Sequence, residues 1–452
     1  MKKILAGVAL VGTAVSAQAA DLAVKAPYMK APVAMVYDWT GFYIGANVGV
    51  GVGRDLAAHA FPAGGTFNST YLQPEGVIGG GQIGYNWQSN TTFLGPLLIG
   101  VEADIQGSGV SDGRTTLNSA VGPVNYNQKL DWFSTVRGRI GLVRGPAVGY
   151  VTGGFAAGNV KTTVSEFGGL VPFALSETRT GWTLGSGVEA ALGGNWTGKI
   201  EYLYLDLGNR NDAFGTQALR TEYRESIFRA GVNYRIGGTG LYITPPPANW
   251  AGLYLGGNFG GALGRNATTA SVGPFNEQFS LSPDGYVGGG QIGYNWQASS
   301  WVFGLEADFQ GSTQKDDRTA VLGSTILYNQ KLPWFGTARG RIGYTVGSTL
   351  YYATGGYAYG NVKTNIVTPI SNETFNRSRS GYAVGAGIET PFSVFGLLGP
   401  NWTSKTEYLY VDLGSTTDAF AGGLAVSTSK VTEHMLRTGI NYHFNEPVVA
   451  KY

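Results

Sequence analysis

The chain has 452 residues, enough for more than one domain, and no cysteine, which excludes disulfides and thiolate metal sites. Charged residues are 13% of it, about half the usual share, while its 72 glycines make up about 16% against an average near 7%. Without Lys2 and Lys3, which fall in an expected cleaved leader, 29 basic residues stand against 29 acidic ones, so no basic excess points to nucleic acid.

The first elements are for export. Lys2 and Lys3 form a charged start, Ile4 to Val15 is a short apolar stretch, and Ala17-Gln18-Ala19 is a small-x-small cleavage site. This predicts a signal peptide over residues 1–19. The stretch is too short for a membrane anchor, which needs about 20 apolar residues. Nothing later is long and apolar enough to span as a helix, so any membrane entry is by strands. Residues 20–38 carry Pro27 and Pro32 in two Lys-Ala-Pro triplets and read as an extended periplasmic lead-in.

Residues 39–236 hold eight candidate strands, recognised by alternation with a period of two. Ile83, Tyr85 and Trp87 oppose Gln82 and Asn86. Val101, Ala103 and Ile105 oppose Glu102, Asp104 and Gln106. In the stretch Tyr126 to Gly141, Leu130, Trp132, Ser134, Val136 and Ile140 oppose Lys129, Asp131, Thr135, Arg137 and Arg139. Ile200, Tyr202 and Tyr204 oppose Lys199 and Glu201; Phe228, Val232 and Tyr234 oppose Arg229, Asn233 and Arg235. Small residues such as Gly45, Gly84 and Gly185 fill inward slots, as a narrow barrel requires. Long connections (about 53–76, 108–126, 163–178 and 208–225) alternate with short ones (about 89–95, 143–148 and 191–195). Long loops on one side and short turns on the other describe an outer-membrane barrel.

A linker over 237–249 contains Pro245-Pro246-Pro247, after which residues 250–444 repeat the unit in order. YNQKLDWFSTVRGRIG (126–141) returns as YNQKLPWFGTARGRIG (328–343), differing at Asp131/Pro333, Ser134/Gly336 and Val136/Ala338. Gly79–Gln88 returns unchanged as Gly288–Gln297. The expected fold is all-β, as two tandem eight-stranded antiparallel transmembrane barrels; the alternative is one sixteen-stranded barrel. Separate closure is favoured because each unit has its own opening strand and its own closing strand, Phe228 to Ile236 and Leu436 to Phe444. Triple proline also makes a stiff spacer and not a hairpin turn.

The WTGFYIGANVG opening, the GGGQIGYNWQ and GVEAD strands and the final AGVNYR strand together resemble the small alphaproteobacterial outer-membrane β-barrel proteins. That opacity-like, porin-annotated family includes haemin-binding members. The resemblance implies an eight-stranded barrel in the outer membrane of a Gram-negative cell, with long loops extracellular and termini periplasmic. It implies outer-membrane lipid and the barrel-insertion machinery as partners. This chain departs from the pattern by carrying the unit twice and by a tail, residues 445–452, after the last strand. The aromatic that the machinery reads is then Phe444, with Tyr442 beside it, or Tyr452.

Candidate functional residues are the inward charges. In the first unit they are Glu102, Asp104, Lys129, Asp131, Arg137, Arg139, Glu189, Lys199, Glu201, Arg229 and Arg235. In the second they are Glu306, Asp308, Lys331, Arg339, Arg341, Glu389, Lys405, Glu407 and Arg437. Unpaired charges in a tight lumen are costly, so they are expected as ion pairs. They form either a structural plug or a gated ion path. The three histidines, His59, His434 and His443, make no cluster, and no metal site or catalytic set is expected. Haemin would need an axial ligand, for which the loop tyrosines Tyr71 and Tyr223 are weak candidates. The functional expectation is a structural or small-solute permeability role in the envelope. The alternatives are a surface-binding protein for haemin or a host ligand, and an outer-membrane enzyme.

Overall fold

The computed structural model describes residues 37–444 apart from 62–65, 91, 93–94, 119–121, 167–172, 215–216, 238–247, 274, 322–324 and 393–398. The expected signal peptide, nearly all of the lead-in, Pro245–Pro247 and the tail lie outside the described residues.

Strands in the first half are β1 (Gly41–Gly53), β2 (Asp55–Phe61), β3 (Thr66–Leu72), β4 (Glu75–Ser89), β5 (Leu97–Ser108), β6 (Ser111–Asn118), β7 (Gly122–Arg144), β8 (Ala147–Glu166), β9 (Phe173–Gly193), β10 (Trp196–Phe214) and β11 (Gln217–Ile236). Eight of them form an antiparallel ring, β1-β4-β5-β7-β8-β9-β10-β11, and β11 pairs back onto β1 from Phe42↔Ile236 to Gly53↔Glu225. The second half repeats this with β12 (Gly252–Gly264), β13 (Asn266–Val272), β14 (Phe275–Leu281), β15 (Gly285–Ala298), β16 (Trp301–Ser312), β17 (Lys315–Val321), β18 (Thr325–Val346), β19 (Thr349–Val367), β20 (Asn372–Pro391), β21 (Trp402–Phe420) and β22 (Ala425–His443). Its ring closes where β22 pairs with β12, from Tyr254↔His443 to Gly264↔Glu433. The fold is therefore two eight-stranded barrels and not one of sixteen strands.

Alternation places the side chains as expected along most strands. On β5, Ile99, Val101 and Ile105 are exposed while Glu102, Asp104 and Gln106 are buried. Ile200 and Phe228 also point outward but are buried, because Ile200 packs with Ile388 and Phe228 lies 5.2 Å from Tyr408 of the second barrel. Short turns join the strands at one end; Gly145, at φ +56°, makes one of them between Arg144 and Ala147.

The opposite end differs from expectation. A strand needs about 9–11 residues to cross a membrane, yet β7 has 23 residues, β9 has 21 and β11 has 20. Most of the stretches read as long loops are strand instead. The wall from β7 to β11 rises well past the apolar band. The hairpin β2–β3 adds to β11 and β6 adds to β7. The physical reason is a second core above the membrane, formed by Ala57, Leu72, Val124, Tyr126, Val164 and Leu219, which gives these segments an inward apolar face to bury.

Candidate functional site

The barrel interior is the site to which the inward charges lead. In the first barrel four acids, Glu102, Asp104, Glu189 and Glu201, meet four bases, Arg137, Arg139, Lys199 and Arg229, and all eight are buried. Arg137 on β7 is the hub. It pairs with Glu102, lies 2.9 Å from Asp104 and 3.1 Å from Glu201, and its Nε donates to Thr135 Oγ1 at 2.9 Å. Arg229 bridges Glu201 at 2.5 Å and Asp104 at 3.0 Å. Lys199 reaches Glu102 at 3.0 Å and Arg139 reaches Glu189 at 2.9 Å. Removing this many ions from water is tolerable only because each carboxylate has a guanidinium or ammonium partner and further hydrogen bonds.

The second barrel repeats the network. Arg339 meets Glu306 at 2.5 Å, Asp308 at 3.0 Å and Glu407 at 3.1 Å. Arg437 lies 2.7 Å from both Asp308 and Glu407, Lys405 lies 2.8 Å from Glu306, and Arg341 lies 3.1 Å from Glu389.

Tyrosines that the sequence reading passed over complete both networks. Tyr43 Oη donates to Glu102 at 2.8 Å and Tyr150 Oη to Glu201 at 2.9 Å; Tyr254 and Tyr352 do the same for Glu306 and Glu407, at 2.8 and 2.9 Å. Arg139 lies over the rings of Tyr43 and Tyr150, at 4.8 and 5.2 Å. The signal was present in the alternation, since Phe42 and Ile44 face out and Tyr43 between them must face in. Glycine makes room for it: a Cβ on Gly84 would stand 2.2 Å from Tyr43 Oη.

Four expected members stand elsewhere. Lys129 and Asp131 are on the outer surface, where Asp131 bridges Lys129 at 3.0 Å and Lys161 at 2.5 Å. These hydrogen bonds, first from Lys161 and then from Lys129, hold its carboxyl below the usual range. Lys331 is likewise exposed. The cause is a β-bulge: the register shifts between Leu130 and Trp132 on β7 and between Lys331 and Trp334 on β18. One extra residue reverses the facing of everything beyond it. Leu130 consequently points inward and Lys129 outward, the reverse of the expectation. Arg235 does face in but touches no carboxylate among the described residues; it donates to the Asp38 carbonyl and lies 4.8 Å over the Tyr37 ring. Tyr223 is no loop residue: it is buried on β11 and its Oη donates to Glu225 at 3.2 Å. Phe444 follows β22 on the outer wall, half exposed, its N–H donating to Leu253 O at 3.0 Å and its ring 5.2 Å from that of Tyr442.

Apolar layers flank each ionic layer. Above the first lie Leu130, Phe133, Leu203, Leu205 and Ile227 among others, and below it Tyr37, Trp39, Leu98, Val143 and Val148. The second barrel has Leu332, Phe335, Leu409, Val411 and Met435 above, with Trp250, Val302 and Leu350 below. Trp39 and Trp250 are buried as end caps, their backbone N–H groups donating to Gln88 Oε1 at 2.9 Å and Gln297 Oε1 at 2.6 Å.

The sequence model of the family described as "Outer membrane protein beta-barrel domain" matches residues 7–235 and again 240–444. The chain belongs to this family, twice over. A 31 kDa outer-membrane immunogenic protein of Brucella melitensis biotype 1 is 39% identical over 209 residues, covering 43% of this chain and 84% of the relative. A 22 kDa outer membrane protein of Rhizobium leguminosarum bv. viciae is 34% identical over 174 residues, covering 38% of this chain and 67% of the relative. Among solved structures, Ail of Yersinia pestis, in complex with the heparin analogue sucrose octasulfate, aligns over 41% of this chain and 99% of its own at 15% identity, with a TM-score of 0.22. A Pseudomonas aeruginosa FadL homologue aligns over 90% of this chain and 91% of its own at 10% identity, with a TM-score of 0.28. The protein is an outer-membrane β-barrel protein of Gram-negative type, and the exposed Ile, Val, Phe, Tyr and Trp side chains around each ring are its lipid-facing wall.

Proposed function

We propose that each barrel is a closed, non-conducting structural element of the outer membrane, without catalysis. The observation that carries this reading is the layering of each lumen: a neutral ion-pair plug between two apolar plugs. An ion crossing it would have to displace buried partners and then pass apolar side chains, so the permeability role has no path to use. Eight-stranded barrels have room for side chains only, which supports the same reading. The strand extensions lie outside the cell and the short turns in the periplasm, the usual sidedness of such barrels. Phe444, with Tyr442 beside it, is the aromatic that the insertion machinery reads. The test is planar-bilayer recording on the purified full chain. A silent membrane is expected; a steady porin-like conductance from the monomer would overturn the proposal.

A further inference from the structure

Just above the aromatic belt of the second barrel, three lysines stand side by side on neighbouring strands. Lys331 on β18 is directly opposite Lys315 on β17 and directly opposite Lys363 on β19. Opposed residues in antiparallel strands are about 4.5–5.5 Å apart, so three ammonium stems leave the sheet within roughly 10 Å. All three are exposed on the lipid-facing side of the wall. None forms an ion pair with a described carboxylate, and Asp317, the acid on the same face of β17, is engaged by Asn329. Like charges directly opposite destabilise a sheet, so the row weakens the fold unless something neutralises it.

The first barrel displays the neutralised version. Ser111 occupies the position of Lys315, opposite Lys129, and Asp131 bridges Lys129 and Lys161 at 3.0 and 2.5 Å. In the second barrel Pro333 replaces that aspartate, so one cation is added and the anion is gone. Beneath the row the wall is aromatic and then apolar. Phe309 stacks on Trp334 at 5.5 Å, Trp334 lies 6.1 Å from Tyr359, and Tyr357 and Leu305 below are among the exposed residues. A molecule that satisfies both parts has a multiply anionic head and acyl chains.

We propose that Lys315, Lys331 and Lys363 bind the phosphate groups of lipopolysaccharide, whose acyl chains lie on the wall below. Three adjacent cations exceed what a singly charged phospholipid head can neutralise and suit a head bearing more than one phosphate. The proposal rests on the reading that the strand extensions face outward, because that places the row in the outer leaflet.

The test uses the full chain folded in detergent micelles and titrated separately with bis-phosphorylated lipid A, dephosphorylated lipid A and phosphatidylglycerol. Bound lipid is counted by native mass spectrometry, and heat-modifiable gel mobility checks that each variant is folded. The parent retains bis-phosphorylated lipid A, and K315Q/K331Q/K363Q loses about fivefold for each lysine, roughly 100-fold in all. Pro333→Asp weakens binding by restoring the bridging carboxylate, while K129Q/K161Q in the first barrel binds as the parent does. Parent-like binding by the triple variant would overturn the proposal, as would equal retention of phosphatidylglycerol or of the dephosphorylated lipid. Sidedness is read separately. Ile370, 76% exposed on a turn beyond the row, is changed to cysteine in a chain that has none. Labelling on intact cells supports the outward placement; protection there overturns it whatever the micelles give.

Discussion

The two barrels share one ionic layer, apart from His443 beside Glu389 at 3.5 Å where the first has Arg235, and have different mouths. Arg137 and Arg339 grip corresponding triplets of carboxylates: Asp104 at 2.9 Å against Asp308 at 3.0 Å, and Glu201 and Glu407 both at 3.1 Å. Just past Val77 on β4 and Tyr286 on β15, both exposed, the copies part. In the first barrel Asp55 and Glu225 are both buried: the Asp55 carboxylate accepts from Arg224 N at 2.7 Å, and among the described residues Glu225 accepts from the Tyr223 hydroxyl alone, at 3.2 Å. In the second barrel Asn266 replaces Asp55, accepts from Thr432 N at 3.1 Å and donates to Gln330 at 2.6 Å. Gln314, where the first barrel has Val110, donates to Glu433. A charge that must be paired on several sides tolerates no drift. A carboxyl that can take up a proton tolerates much more, so the plug is nearly identical in both copies while the mouths diverge.

The largest expected effect breaks the shared part. Arg137→Ala leaves Glu102, Asp104 and Glu201 without their common partner and should destabilise the first barrel by about 3–5 kcal/mol. Arg339→Ala should do the same to the second barrel, and urea titration followed by gel mobility should show an intermediate with one barrel lost. Arg139 pairs with Glu189 at 2.9 Å and not with Asp104, so Glu189→Ala is the change that should recover part of an Arg139→Ala loss.

A middle-sized effect sharpens the difference between the mouths. Gln128, the counterpart of Gln330, has neither amide atom bonded to a described residue. Asp55→Asn should supply the missing Asn–Gln hydrogen bond and remove a buried acid, stabilising the first barrel by about 1–3 kcal/mol near neutral pH. The pH dependence follows from burial. It raises Asp55 and Glu225 well above the usual carboxylate range and pushes Glu433 up to about 8. Folded groups then hold protons that the unfolded chain releases, so stability is greatest in acid and falls as pH rises through the folded values. The first barrel, with two such groups, should lose more between pH 5 and 9 than the second, and Asp55→Asn should bring the two curves together. Parallel curves in the parent would refute this account of the mouths.

The smallest effects lie on the outer wall. Asp131→Ala should cost at most about 1 kcal/mol, because Lys129 and Lys161 are about half exposed. Lys331→Gln should gain a few tenths of a kcal/mol in lipid-free micelles by relieving two opposed charges. Matched thermal melts of both variants and the parent would test each.

Most of the ring strands and the ionic layer were legible because a charge of each sign recurs at alternate positions, as in Glu102-Ala103-Asp104 and Arg137-Gly138-Arg139. The bulge was not legible, since alternation runs cleanly on either side of it and the inserted residue leaves no periodic trace. Pro333 nevertheless fits such a site, because a bulged residue need not donate to the ladder. The extensions were hidden for another reason. Beyond the membrane their outer face is polar, so stretches such as Arg210-Asn211-Asp212 carry the composition of a loop, and the inward apolar residues are too sparse to declare a strand by themselves.

Closure of each ring onto its own first strand has a consequence for failure. A sheet edge is a template on which other chains can pair, and a closed ring has no edge. One sixteen-stranded ring would open along its whole seam if any single strand pulled away. Here the backbone hydrogen bonds form two separate circuits, β1 to β11 and β12 to β22. Damage to one, by mutation or by a misplaced strand, leaves the other circuit complete, so the chain can lose half of its membrane structure while the ring of the remaining half still presents no edge, the open edges at β3 and β14 lying in the extensions.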